Sequence, residues 1–460
     1  MVFSNPVFLW LFLPATLAVY FLSGRLLRNG ILLAASLFFY AWGENEYVLI
    51  LIASILLNYA AGRWIGPAQG RMRLIALWAG IAANLLLLTY FKYTGFLLSS
   101  LNVAGAQDLA PPLPIGISFF TFQALSYLVD LYFRRVEMQR NPFDLALYIS
   151  LFPQLIAGPI VRYAEVEAAL KDRITTRSDV SIGMERFVRG LAKKTLIADP
   201  MGLVADQIYA IPAGGLTPET AWAGAIAYSL QLYFDFSAYS DMAIGLGRIL
   251  GFRFPENFNY PYVSTSVTEF WRRWHMTLSR WFRDYLYIPL GGNRKGASRT
   301  YVNLLLVFLA TGLWHGAAWT FVAWGLWHGM FLIFERLGLA RMLSALPRAV
   351  NHAYLLLVVI AGWVLFRASS FDQALEFYRS MFLFQSGPEA VFHPLTRYLD
   401  PYAIAVAAVA IPISVGLRAW LERRFALGTM ASEVRFWVLF GLAIVSVGAA
   451  SYSPFIYFRF

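Results

Sequence analysis

Long apolar stretches recur along the chain near residues 6–24, 31–43, 46–62, 74–91, 114–133, 142–161, 182–206, 219–251, 301–319, 320–335, 353–366, 402–416 and 436–452. A helix that crosses the hydrocarbon core needs about 20 predominantly apolar residues. Several of these stretches are shorter or carry polar groups, so the pattern predicts about eleven to thirteen membrane elements, a few of them half-buried. In lipid every backbone group must find its partner within the chain, and apolar runs of this length do so as helices.

The charges between the stretches alternate. Residues 24–30 hold two Arg, 44–62 no Lys or Arg, 63–73 three Arg, 92–113 one Lys and 134–140 three Arg. Basic loops stay in the cytoplasm, which puts the N-terminus outside. Residues 162–180 break the alternation with four basic among four acidic side chains. It resumes with Arg336, Arg341 and Arg348 inside, a largely neutral 367–400 segment outside, and Arg418, Arg423, Arg424 and Arg435 inside. The 436–452 span then delivers the C-terminus to the outer face.

Composition agrees with that reading. The 460 residues are 59% hydrophobic and 14% charged, against about 25% charged in a soluble chain. Lipid must therefore be the solvent over most of the length, which excludes an ordinary cytosolic, secreted or disordered protein. The net charge of +11 fits a cytoplasmic excess of Lys and Arg better than nucleic-acid binding. The absence of cysteine excludes disulfides, thiolate metal sites, a cysteine nucleophile and S-palmitoylation, so any acyl carrier on the chain is an oxygen or nitrogen. The opening Met-Val-Phe-Ser lacks a basic n-region and a cleavage site and reads as a retained first span.

Residues 266–285 are expected to form one amphipathic helix, with Ser266 and Glu269 in capping-box spacing at its start. At 100° per residue Val267, Phe270, Trp271, Trp274, Leu278, Trp281, Phe282 and Tyr285 share one face, and Arg273, Thr277, Arg280 and Asp284 lie opposite. His275 falls on the border. Seven basic and two acidic residues in 269–299 make that stretch +5. At roughly 3 kcal/mol per charge at a bilayer centre, it must lie at the cytoplasmic interface or line an aqueous funnel. Either an anionic, phosphate-bearing ligand or the headgroups of anionic lipid suit such a surface.

Gly-Leu-Trp-His-Gly occurs twice, at 312–316 and 325–329. On a helix, His315 projects among Leu304, Phe308, Thr311, Gly312 and Trp319, and a titratable group in an apolar span marks a functional site by default. A desolvated imidazole stays neutral near pH 7, as a general base must. The flanking glycines allow close approach of another backbone or a thin substrate. A structural histidine bonded to a neighbouring carbonyl is the plainer alternative for His315 and His328. His352 and His393 read as incidental. Asp130, Asp235 and Asp241 in apolar surroundings suit helix-packing hydrogen bonds, pairing with Arg or orientation of a histidine.

Six stretches carry a family resemblance: Pro114-Ile-Gly-Ile-Ser-Phe119, Phe152-Pro-Gln-Leu-Ile-Ala-Gly-Pro159, Gln231-Leu-Tyr-Phe-Asp-Phe-Ser-Ala-Tyr-Ser-Asp-Met242, Phe270-Trp-Arg-Arg-Trp-His275, Arg283-Asp-Tyr-Leu-Tyr-Ile288 and Gly312-Leu-Trp-His-Gly316. The chain resembles the membrane-bound O-acyltransferase (MBOAT) family, in the branch of the alginate O-acetylation protein AlgI and the teichoic-acid D-alanylation protein DltB. The resemblance implies one all-α, polytopic domain over 1–460, with N-terminal spans in 1–111, a catalytic core in 112–336 and C-terminal spans in 337–460. Tilted helices would surround a central funnel. It implies that His315 and His275 are catalytic, with His328, Asp235 and Trp314 in support. It implies acetyl-CoA as donor, its phosphates near Arg272, Arg273, Arg280, Arg283, Arg294 and Lys295, with no bound cofactor and no metal.

The implied activity is inner-membrane O-acetylation of an exported polysaccharide such as alginate or cellulose. A periplasmic SGNH-type acetyltransferase and the polysaccharide synthesis and export machinery are the implied partners, because no segment here can form a soluble outer domain. Direct acylation of a lipid or protein is the nearer alternative. A secondary transporter or flippase is the alternative of another class, against which stands the lack of any inverted repeat beyond the short pentapeptide pair. The ending Pro454-Phe-Ile-Tyr-Phe-Arg-Phe460 reads as an aromatic belt. It is also similar to the aromatic motif of the small D-alanylation partner, which suggests Tyr457 as an acyl relay.

Overall fold

A computed structural model describes residues 2–106, 108–425, 429–449 and 455–456. Among them every regular element is helical, and each of the thirteen apolar stretches contains a helix. The relay candidate Tyr457 lies outside the described residues. Four helical segments are long and apolar enough to cross a membrane, Arg25–Ile65, Gly70–Ser100, Arg348–Arg367 and Met430–Ala449, with Phe8–Leu22 and Pro401–Ser414 shorter. The 31-residue Gly70–Ser100 helix is about 46 Å long at 1.5 Å per residue, well beyond the ~30 Å hydrocarbon core. The chain is a membrane protein.

Packing divides it into two units, Met1–Phe187 with Tyr239–Glu256, and Val188–Ala238 with Asn257–Phe460.

In the first unit, polar side chains in apolar helices satisfy one another. Asn58 and Asn84 exchange amide hydrogen bonds at 3.0 and 2.9 Å between Val48–Ile65 and Gly70–Ser100. Lys92 donates to Ser118 at 3.1 Å. Two of the isolated acids pair with arginine here, Asp130 with Arg135 at 3.1 Å and Asp241 with Arg186 at 3.0 Å.

In the second unit Ala297–His315 and Trp319–Phe334 form a helical hairpin. The leading glycines of the two pentapeptides face each other across it. A Cβ on Gly312 would strike the carbonyl oxygen of Phe321, and one on Gly325 that of Phe308. These glycines serve backbone packing, and the pentapeptide repeats because both helices need the same gap. Gly325→Ala is expected to cost about 1–3 kcal/mol through overpacking, read as a lower midpoint in the thermal unfolding of the purified protein.

Candidate functional site

The expected single helix over 266–285 is two. Val267–Arg273 and Met276–Phe282 are separated by Trp274 and by His275, which takes a left-handed conformation at φ 41°, ψ 55°. A non-glycine residue held there costs of order 1–3 kcal/mol and persists only where its surroundings over-determine it. Those surroundings are visible. The aromatic face predicted from the spacing is buried except for the half-buried Tyr285. Thr277, expected on the polar face, is buried too, because the break rotates the second helix.

The start of Val267–Arg273 shows how the break is held. Ser266 accepts from the Glu269 N–H at 3.1 Å as its spacing predicts, while the Glu269 carboxylate accepts from the Thr265 N–H at 3.0 Å. The remaining N-terminal donors go to Glu335, which is buried: its Oε1 accepts from Val267 N at 2.6 Å, and its Oε2 from Thr268 N at 3.0 Å and Thr268 Oγ1 at 2.6 Å. A carboxylate there also meets the positive end of the helix dipole. Burial opposes the charge of Glu269, but the Thr265 N–H and the Arg273 guanidinium hold its carboxyl below the usual range.

His275 is fully buried. Its Nδ1 lies 3.0 Å from Asn257 Oδ1, which also accepts from Thr277 N at 3.2 Å and Thr277 Oγ1 at 2.9 Å. The two Thr277 donors identify that atom as the amide oxygen. His275 Nδ1 therefore carries the proton, and a neutral ring has its lone pair on Nε2. The Phe236 ring stands perpendicular to the imidazole at 4.6 Å.

His315 ends its helix, buried, with its ring centroid 6.5 Å from that of His275. Trp324 at 5.0 Å and Phe366 at 5.2 Å meet it edge to face. Of the neighbours expected from helical spacing, Trp319 is instead exposed on the next helix. Trp314 bridges the histidines, 5.9 Å from His275 and 4.9 Å from His315. His328 sits in an aromatic cage of Trp271 at 5.2 Å, Trp324 at 5.3 Å and Trp363 at 6.2 Å, and neither of its ring nitrogens has a hydrogen-bond partner among the described residues. His352 and His393 lie elsewhere, bonded to Ser264 O and Tyr398 Oη.

The six basic candidates differ. Arg272, Arg294 and Lys295 are exposed and Arg280 is half-buried. Arg273 pairs with Glu269 at 2.9 Å and Arg283 with Asp284 at 2.6 Å, so part of their charge is already compensated. Asp235 pairs with Lys194 at 2.7 Å. Among the described residues no three His, Asp or Glu side chains converge as a metal site would require.

Asn257 and Glu335 escaped sequence reasoning. Asn257 stands among aromatic and proline residues in Phe-Pro-Glu-Asn-Phe-Asn-Tyr, a polar residue in an aromatic run and a signal of a kind. Glu335 is 68 residues from its partner Val267, and no local pattern joins them.

The described residues thus form a helical membrane protein in which His315, at the turn of a glycine-packed hairpin, lies 6.5 Å from the buried His275. The family model of MBOAT, the membrane-bound O-acyltransferase family, matches residues 84–371. The chain is 42% identical to the probable alginate O-acetylase AlgI of Pseudomonas putida over the whole of both chains. It is 34% identical to the peptidoglycan O-acetyltransferase of Helicobacter pylori, over 100% of this chain and 98% of that one. Over 44% of this chain and 54% of the other, it is 29% identical to the teichoic acid D-alanyltransferase of Bacillus subtilis. The chain belongs to the MBOAT family and is an acyltransferase.

Proposed function

We propose that the protein moves acetyl groups from cytoplasmic acetyl-CoA across the inner membrane for O-acetylation of an exported polysaccharide, with both termini outside. The observation that carries this reading is the buried pair of His315 and His275, 6.5 Å apart. The acetylation of exported polymers named for the full-length relatives supports it.

The phosphates of the donor meet Arg272, Arg280, Arg294 and Lys295, with Arg273 and Arg283 beside them, and its thioester reaches the histidines. His275 donates through Nδ1 to Asn257, so its Nε2 is an acceptor. That suits it to orienting an N–H of the donor's pantetheine arm; donation to an oxyanion would need the protonated ring. His315 takes the proton of the Tyr457 hydroxyl as the phenol oxygen attacks the acetyl carbonyl. The carbon–sulfur bond breaks, the thiolate takes the proton back from His315, and free coenzyme A leaves. Tyr457 then holds a phenyl ester, more activated than a sugar ester. It passes the acetyl to a hydroxyl of a periplasmic SGNH-type acetyltransferase and regains its proton, and that partner acetylates the polysaccharide alongside the synthesis and export machinery.

Acetyl-labelled acetyl-CoA tests the scheme. The purified protein is expected to release coenzyme A and to acquire hydroxylamine-labile label, which Tyr457→Phe does not acquire. If the thioester stays intact, the donor is wrong. If Tyr457→Phe is labelled as well as the parent and exports acetyl in full, the relay is wrong.

A further inference from the structure

The Gln231–Met242 motif contains an acid that the chemistry above does not use. Asp235 is buried on Pro218–Ile249, and its Oδ1 is 2.7 Å from Lys194 Nζ, which also lies 2.7 Å from Asp199 Oδ1. Lys194 opens a π-helical turn, Lys194–Ala198, a local widening often found at functional sites. Three charges among apolar helices are costly unless their hydrogen-bonding capacity is filled.

Here the far end of the chain helps to fill it. The Ile456 N–H donates to Asp235 Oδ2 at 2.7 Å, and the Lys194 ammonium lies 4.6 Å from the centroid of the Phe455 ring. Both Phe455 and Ile456 are buried. The preceding helix, Thr429–Ala449, is tied to the same turn, where Ser446 Oγ donates to Thr195 O at 3.2 Å. On the other side, the residue after Asp235 is Phe236, whose ring stacks edge to face on His275. The residue that seats Ile456 and a residue that walls the histidine pocket are thus neighbours on one helix.

We infer that the Lys194–Asp235 pair is a docking site for the 455–456 segment and that acetyl transfer needs this segment docked. The site reads a backbone N–H and an aromatic ring, a peptide of aromatic then aliphatic character. Binding is favoured from both sides: the segment buries two apolar side chains, and the carboxylate gains a donor that lipid cannot offer. The inference rests on the relay reading for its catalytic meaning, but the docking stands or falls separately.

Because the chain has no cysteine, Ile456→Cys introduces a single thiol whose maleimide labelling in membranes reports docking. Lys194→Met with Asp235→Leu removes the fully buried pair together and leaves Asp199, whose side chain is 22% exposed, as the remaining acid. Labelling at position 456 is expected to be slow in the otherwise unchanged chain and at least tenfold faster with that pair of substitutions. Without the thiol, the same pair is expected to lower cellular polymer O-acetylation at least tenfold at equal membrane abundance. An unchanged labelling rate overturns the docking site, and faster labelling with undiminished acetylation overturns its role in transfer. Should the double variant not accumulate, Phe455→Ala, which leaves the ion pair intact, carries the same two measurements and the same expectations. Full acetylation by Tyr457→Phe, beside a loss in the docking variants, would sink the relay while the docking survives.

Discussion

His315→Ala is expected to lower acetyl transfer by roughly 10²–10⁴-fold, the usual worth of a positioned general base. The phenol or other acceptor hydroxyl would have to attack without losing its proton to the enzyme, and the departing thiolate would find no acid. The cavity left by the imidazole is walled by Trp324 and Phe366, whose large rings keep the pocket from water. The loss should therefore appear in kcat, measured as coenzyme A release by the purified protein, with donor KM changing far less. His275→Ala is a useful contrast. In the neutral tautomer selected by Asn257 its ring holds no proton on Nε2, so its removal should weigh more on donor KM. Equal activity of His315→Ala and the parent would refute the proposed role of this histidine.

Glu335→Ala is expected to have the second largest effect, through folding and geometry together. It strips the acceptor from Val267 N, Thr268 N and Thr268 Oγ1. Hydrogen bonds to a charged group contribute about 1.5–3 kcal/mol each, and donors left buried and unmet add to the loss. Since the contributions of one carboxylate do not add, a total of about 2–4 kcal/mol is the reasonable scale. The helix so released leads directly into the left-handed His275, and a misplacement of about 1 Å can cost 10²-fold in rate. Glu335→Gln retains one acceptor oxygen and most of the shape, so its thermal unfolding midpoint and its rate should both fall between parent and Glu335→Ala. If both variants kept the parent's rate and midpoint, the carboxylate would not be holding this helix start.

These two residues differ in how far they can be read in one dimension. His315 is legible because a histidine is conspicuous in an apolar span, and because Gly-Leu-Trp-His-Gly appears twice. The reason for the repeat is not legible: Gly312 and Gly325 meet only when the hairpin folds. The same holds for the amphipathic stretch. Helical spacing assigned its aromatic face nearly in full, since burial at i, i+3 and i+4 is a local consequence of 3.6 residues per turn. It could not show the break at His275, which needs Asn257 to accept Nδ1–H and Glu335 to hold the preceding helix. Both partners come from other parts of the chain.

Local chemistry was enough to establish a cysteine-free, helical membrane protein whose basic loops alternate with neutral ones, and the resemblance carried by its motifs added the acyltransferase reading and the choice of His315 and His275. Apolar periodicity and charge placement report burial and topology residue by residue, so they need no fold. Tertiary packing alone decided that His315 and His275 face one another and which nitrogen of His275 carries the proton. It also decided that Asp235 serves Lys194 and the Ile456 backbone rather than a histidine. Those outcomes depend on groups up to 221 residues apart, and a distance of that kind has no periodicity to betray it.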